Sequence, residues 1–355
     1  MKIAVLLSGG VDSSVALKML KDEGHELYGF YLKIWLEDEL SFLGDCPWQE
    51  DLDYVQRTCQ MFDVPLKIIP LQSEYHKVVV KYVLDELKIG RTPSPDILCN
   101  HRVKFGFFPE KIDSSFDKVA SGHYASVVKQ GDLYYLKRGV DPVKDQTYFL
   151  SHLNQSQLSR CLFPIGEYTK SQIRQIAKDS KLPAAERPDS QGICFLGKIK
   201  YNDFVSSYLG KKEGKIIDID TGKQLGTHQG FWFHTVGQRK GLGLAGGPWF
   251  VVKKDVKKNV VYVSHESLYL KYVNSDFVIE DCNWILGNPP KQSDVLVRVR
   301  HSPKIVPAKL KVISSTSSVI SLSEPDPGIA TGQFAVVYDG DYCLGCGIIS
   351  SFETI

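Results

Sequence analysis

The chain opens on an apolar run, Ile3-Ala4-Val5-Leu6-Leu7, followed by the polar, glycine-rich SGGVDSS (8–14) and then by Val15-Ala16-Leu17-Lys18-Met19-Leu20. This order predicts a strand over 3–7, a tight loop and a helix over 13–23 closed by Gly24. The alternation continues. ELYGFYL (26–32) reads as a strand, and 49–62 has Leu52, Val55, Cys59 and Phe62 on one helical stripe. VPLKIIPL (64–71) is the next strand, 75–90 a helix stopped by Gly90, and 117–125 a strand running into Ser-Gly-His. Strands alternating with helices predict an α/β fold with a doubly wound parallel sheet. Ligands of such sheets sit at the carboxyl ends of the strands, where SGGVDSS and SGHYA (121–125) would both lie.

The pattern changes after about residue 205. Short alternating runs take over: GKIIDID, PWFVVKKDVKKNVVYVSH, DVLVRVRH, AKLKVISSTSSVISLSEP and GQFAVVYDGDYCLGCGIIS, with turns at Asp220-Thr221-Gly222 and Asp339-Gly340-Asp341. These predict antiparallel β structure, a small β domain followed by a C-terminal β-barrel. SDFVIEDCNWI reads as a fresh strand after a polar turn, so the expected divisions are 1–205, 206–275 and 276–355.

The length of 355 residues agrees with two or three domains, and 43% hydrophobic with 24% charged residues is the balance of a soluble globular protein. No apolar run approaches the ~18 residues of a membrane span, and the N-terminus enters a strand without a signal-peptide pattern. Eight cysteines are too few for a secreted disulfide scaffold. The expectation is a cytoplasmic enzyme with reduced thiols, no membrane partner, and a monomer by default. Net charge is only +2, but residues 198–311 hold 19 Lys and Arg against 10 Asp and Glu, while the remainder is acidic. Such asymmetry suits a part that grips a polyanion. It equally suits a solvated lysine-rich surface, and charge alone does not separate the two.

Candidate chemistry begins at the loop. Gly9 and Gly10 allow unusual backbone angles and close approach of backbone N–H groups to an anion. Ser8, Ser13 and Ser14 add hydroxyls, the following helix points its positive end at the same place, and Asp12 can order the loop or help hold Mg²⁺. The lysine of the ordinary GxxxxGK[ST] phosphate loop is missing, so N–H and hydroxyl groups alone would cradle a whole pyrophosphate. SGGVDSS between a first strand and a helix resembles the PP-loop ATP pyrophosphatase superfamily. Members of that superfamily cleave ATP between the α and β phosphates and adenylate a carbonyl oxygen.

Two cysteine loops bear on what is adenylated. In RTPSPDILCNHRVKF (91–105), Asp96 and Cys99 are three apart and share a face if the segment turns helically. His101, Arg102 and Lys104 would lower the Cys99 pKa. A small buried helix cysteine is the other reading. Cys194 lies in the polar loop RPDSQGICFLGK, with the same two readings open. Together with PSPDILCNHRVKF, SGHYA, DPVKDQTYFL, DSQGICFLG, HTVGQRKGLG and the terminal β segment, SGGVDSS makes the whole chain resemble the tRNA-specific 2-thiouridylase family. That family places sulfur on C2 of the wobble uridine.

The resemblance implies site roles. Leu6, Leu7, Ser8, Gly9, Gly10, Val11, Asp12 and Ser13 would line the ATP loop, with Leu32 beside the adenine and Gly122 at the nucleotide. Ser94, Pro95 and Asp96 would touch the target base, with Asp96 as acid/base group. Cys99 would be the nucleophile, and Cys194 would carry a persulfide received from a sulfur donor or relay protein. His123, Lys144, Asp145, Gln146, Arg300, His301 and Gln333 would contact tRNA. The implied cofactors are ATP and Mg²⁺. One route for sulfur ends in a Cys99–Cys194 disulfide; in the other the persulfide attacks C2 directly. The chain departs from the family pattern at Ser94, where Asn is usual, at His301, where Tyr is usual, and at Leu6-Leu7, where Gly-Met is common.

Other features are less directed. Cys343-Leu-Gly-Cys346 invites zinc, but Cys282 is the only further cysteine in its domain, one ligand short of four. Cys46, Cys59 and Cys161 have no neighbours that single them out. The basic, glycine-rich HTVGQRKGLGL (234–244) reads as an RNA-contacting loop or a plain hairpin loop. Competing readings of the chain are another PP-loop synthetase and a non-catalytic tRNA-binding protein.

Overall fold

The computed structural model describes residues 1–34, 48–189 and 199–352. Cys194 and Cys46 lie outside these residues. The first layer is a parallel sheet in the order Leu66–Pro70, Glu26–Lys33, Lys2–Leu6, Lys118–Ala120, Cys161–Leu162. Its central strand is apolar throughout because both faces are covered. Ile3, Val5 and Leu7 enter the core on one face, and Ala4 and Leu6 the core on the other. Strand order reverses between Lys2–Leu6 and Lys118–Ala120, which makes that point the switch crevice of the doubly wound sheet. The helix after the first strand spans Val11–Asp22. It starts two residues earlier than the pattern predicts, because Gly10 takes the extended cap position (φ −85°, ψ 165°). The stripe at 49–62 is the helix Trp48–Met61, with Val55 and Cys59 buried.

The helix at Pro95–Leu98 opens with Pro95 in its first turn, where a missing N–H costs nothing. It continues through wide π-type turns at Cys99–Phe107 into Phe108–Glu110. Wide turns of this kind are rare and concentrate at functional sites.

The C-terminal part is a closed six-stranded antiparallel barrel. Its order is Asp276–Trp284, Ser317–Leu322, Val306–Ser314, Asp294–Arg298, Phe334–Asp339 and Tyr342–Ser351, with first and last strands paired. The middle sheet runs Trp249–Asp255, Val260–His265, Gly214–Asp218, Gln224–His228. Here one expectation changes: Val260–His265 and Gly214–Asp218 pair in parallel. Period-two alternation specifies the face of each side chain but not the direction of its neighbouring strand.

A hairpin, Ala125–Gln130 with Leu133–Arg138, leaves the α/β layer and adds to the barrel through Tyr342↔Lys137 and Cys343↔Leu136. One apolar core accordingly runs from Phe30, Cys99 and Phe108 to Phe334, Tyr338 and Cys346. Inside this junction Arg298 donates from Nη1 to Asp145 Oδ2 at 2.9 Å, and both side chains are essentially without solvent. Among the described residues no helix is long and apolar enough to cross a membrane.

Candidate nucleotide and thiol site

The SGGVDSS loop closes over the switch crevice. Gly9 has φ +77°, a left-handed angle, and a Cβ there would come within 2.6 Å of the Asp51 carbonyl oxygen. Ser8 N–H donates to Ser13 Oγ (3.2 Å), and Ser13 and Ser14 hydroxyls donate to the Gly10 carbonyl (3.1 and 3.0 Å). The first intrahelical bond is Ser14 N–H to Gly10 C=O, leaving the amides of the first turn without helical acceptors. Gly122 lies against that turn: a Cβ on it would stand 2.7 Å from Ser13 N. Uncommitted amides, glycine at both approaches and a helix N-terminus fit a polyphosphate. Leu32 is half-buried at the end of the neighbouring strand, and Leu6, Leu7 and Val11 are buried beneath the loop.

A lysine from elsewhere in the chain reaches the loop. Lys170, in the first turn of the helix Lys170–Asp179, donates to Asp12 Oδ1 at 2.6 Å and to Asp189 Oδ1 at 2.8 Å. Tyr124 Oη donates to the same Asp12 oxygen at 2.8 Å. Asp189 also receives Lys144 Nζ (2.7 Å) and Arg174 Nη2 (2.5 Å). Burial alone would raise the Asp189 carboxyl, but hydrogen bonds from Lys144 and Lys170 hold it well below the usual range. Arg187 donates Nη1 to the Gly9 carbonyl at 2.9 Å and Nη2 to Asp51, bracing the loop from behind. Asp12 Oδ2 has no donor among the described residues, so this carboxylate fits a divalent cation while Oδ1 is held.

The thiol site adjoins. Ser94, Pro95 and Asp96 form the entry to the helix, with Ser94 N–H donating to Tyr82 Oη at 3.3 Å. Cys99 sits one turn on and is 1% exposed. The expectation that its basic neighbours depress the thiol pKa is overturned. Burial raises it to about 11, with only Lys104 pulling the other way and Asp96 adding to the rise. His101 supplies no charge: burial, His152 and Arg102 lower it to about 3, and its Nδ1 meets His152 Nδ1 at 2.9 Å. The helical segment that carries Cys99 approaches the nucleotide loop's neighbour SGHYA where Phe105 lies by His123. That ring lies by Phe105 and Phe163, bonds Ser121 Oγ through Nδ1 (2.7 Å), and is buried and far below its ordinary pKa by burial first and Lys104 second.

From the barrel, His301 packs on Phe149 with ring centroids 4.4 Å apart, close enough to Asp96 to feel its charge. The turn before Gln333 meets the same helix entry, where Thr92 N–H donates to the Thr331 carbonyl at 2.8 Å. Arg300 is exposed, 3.9 Å from Asp326. Gln146 Oε1 accepts from Tyr124 N–H. Asp145, by contrast, points inward. It is fully enclosed by Arg298, Arg138 at 3.3 Å and Thr147 at 2.8 Å. Cys194 lies outside the described residues, and every described cysteine is a free thiol. Cys343 and Cys346 are buried in the barrel, and among the described residues no cluster of three or more His, Cys, Asp or Glu is arranged to hold a metal ion.

Residues 1–198 match a family model described as tRNA methyl transferase HUP domain. Residues 202–265 match the tRNA methyl transferase PRC-barrel domain, and 274–349 the aminomethyltransferase beta-barrel domain. A curated relative in Parabacteroides distasonis, tRNA-specific 2-thiouridylase MnmA, is 46% identical over 98% of this chain and 99% of its own length. The chain belongs to the tRNA-specific 2-thiouridylase family. Two further members of the family show the same full-length match: one from Bacteroides thetaiotaomicron at 45% identity, over 99% of this chain and 100% of the relative, and one from Porphyromonas gingivalis at 45%, over 99% of each.

Around this loop, pattern reading missed Lys170, Tyr124, Arg187 and Asp189 as neighbours. A partial signal existed for Lys170: Thr169 and Gln172 form a capping box that marks the helix start. Nothing local connects it to Asp12.

Proposed function

We propose that this chain uses ATP to thiolate C2 of the wobble uridine of tRNA, giving 2-thiouridine, AMP and pyrophosphate. The observation that carries the reading is a juxtaposition. A polyphosphate-shaped loop and the helix bearing Asp96 and Cys99 adjoin through SGHYA, in a chain that belongs to the 2-thiouridylase family at full length.

In this reading the uracil O2 attacks the α-phosphorus of ATP and pyrophosphate leaves, making C2 electrophilic. Loop amides with Ser8 and Ser13 bind the phosphates and hold charge as it develops. Mg²⁺ held through Asp12 would supply further neutralisation of the phosphates. Asp96 takes the uracil N3 proton. The base must leave its stack to reach this depth, with Ser94, Pro95, His301 and Gln333 around it. Lys144, Gln146 and Arg300 hold the RNA, and Asp145 acts from inside as the strut under its neighbours. Sulfur arrives as a persulfide on Cys194 from a donor protein; the Cys99 thiolate attacks its inner sulfur, releasing hydrosulfide that attacks C2 and expels AMP, and leaving a Cys99–Cys194 disulfide for an external thiol to reduce. The enzyme works as a cytoplasmic monomer.

The test is incubation with ATP, Mg²⁺, a persulfide donor and unmodified tRNA. 2-Thiouridine and tRNA-dependent pyrophosphate are expected. Pyrophosphate that forms without tRNA would turn the reading towards another adenylating synthetase.

A further inference from the structure

The loop lacks the cation that ordinary phosphate loops carry, yet the fold brings one to it from 158 residues away. Lys170 projects from a helix start fixed by its own capping box, Thr169 with Gln172. Its backbone N–H is tied to Asp141 Oδ2 at 3.0 Å. The ammonium stands over the Tyr124 ring at 5.9 Å from the centroid, and the side chain is only 14% exposed. An ammonium has three N–H donors. Two are taken by Asp12 and Asp189, and the third has no acceptor among the described residues. Asp189 does not depend on Lys170 for neutralisation, because Lys144 and Arg174 also serve it. Asp12, in contrast, has no other cation among the described residues.

We infer that Lys170 is a pyrophosphate-binding residue, the displaced equivalent of the phosphate-loop lysine, held ready by Asp12 and Asp189. This rests on the ATP-dependent reading above. During adenylation a bond forms from uracil O2 to the α-phosphorus. The bond from that phosphorus to the bridging oxygen breaks, and its electron pair leaves on pyrophosphate. Lys170 keeps its proton and offsets the charge on that leaving group.

The test is binding, read by calorimetry on the full chain without tRNA or sulfur. The probes are α,β-methylene-ATP with Mg²⁺, inorganic pyrophosphate with Mg²⁺, and AMP. Lys170→Met is expected to weaken the ATP analogue and pyrophosphate about 10- to 100-fold, the worth of one charge-assisted hydrogen bond. AMP should change less than about twofold, and Lys170→Arg should recover part of the loss. Equal weakening of AMP and the ATP analogue would mean a merely structural lysine, and no weakening of either would mean an idle one; both overturn the inference. If the Met variant melts early, Lys170→Gln, which removes the charge but keeps a polar N–H end, gives the same reading. Because no tRNA is present, a failed thiolation assay leaves this result standing. A wild-type chain that binds neither polyphosphate overturns both readings.

Discussion

Cys99 shows how far a residue's chemistry can depart from its sequence neighbourhood. Its neighbours are basic, but its thiol is buried and raised to about 11, so near neutral pH it is almost wholly protonated. Cys99→Ser should abolish 2-thiouridine formation, and Cys99→Ala, which buries no polar group, should abolish it at a smaller cost in melting temperature. For the wild type, the single-turnover rate of sulfur transfer is expected to rise about tenfold per pH unit from 7 to 9, as the thiolate fraction grows. A flat profile would mean the proton is removed only after RNA binds. Gly122 makes the opposite point: a residue with no functional group decides whether the site exists. A Cβ there meets backbone atoms of Asp12 and Ser13 at 2.7 Å, and neither can swing aside. Gly122→Ala should weaken ATP binding by about tenfold or more, measured by titration with the methylene analogue.

Among elements, the informative one is the hairpin Ala125–Gln130 with Leu133–Arg138, which ties the α/β layer to the barrel. Its junction holds the Asp145–Arg298 pair. Removing one partner of a buried pair strands the other charge, so Asp145→Ala should cost about 3–5 kcal/mol in denaturant unfolding. The double variant Asp145→Leu with Arg298→Met should lose less, because no unpaired charge remains. If the single variant kept full stability and lost only tRNA affinity, the strut role would be wrong. The strands and helices of residues 1–120 were legible because apolar spacing is a local property. The attachment of the hairpin was not, since its second strand meets the barrel through Tyr342 and Cys343, two hundred residues later.

At the scale of the whole molecule, the buried neutral histidines set an acid limit. Burial is the first cause in each case, lowering His101 to about 3 and both His152 and His234 to about 4. An unfolded histidine titrates near 6.5. Their contribution to stability is therefore complete above about pH 6.5 and is lost as pH falls towards 4, because the unfolded chain takes up the protons first. The melting temperature should fall steeply over that window, and a level profile from 6.5 to 4 would contradict the burial of these rings. The α/β layer and the barrel do not melt as independent bodies in this picture, since one core joins them.

From sequence alone came the α/β layer, the later change to β structure, the glycine-rich loop between the first strand and its helix, and the Asp96–Cys99 spacing. Each is written in residues close together in the chain, and their physics is short-ranged. Tertiary structure alone decided that Cys99 is a protonated thiol, that Asp145 faces inward, and that Lys170 stands beside Asp12. Desolvation and buried ion pairing depend on which distant segments enclose a group, and those segments meet only when the sheet, hairpin and barrel close around it.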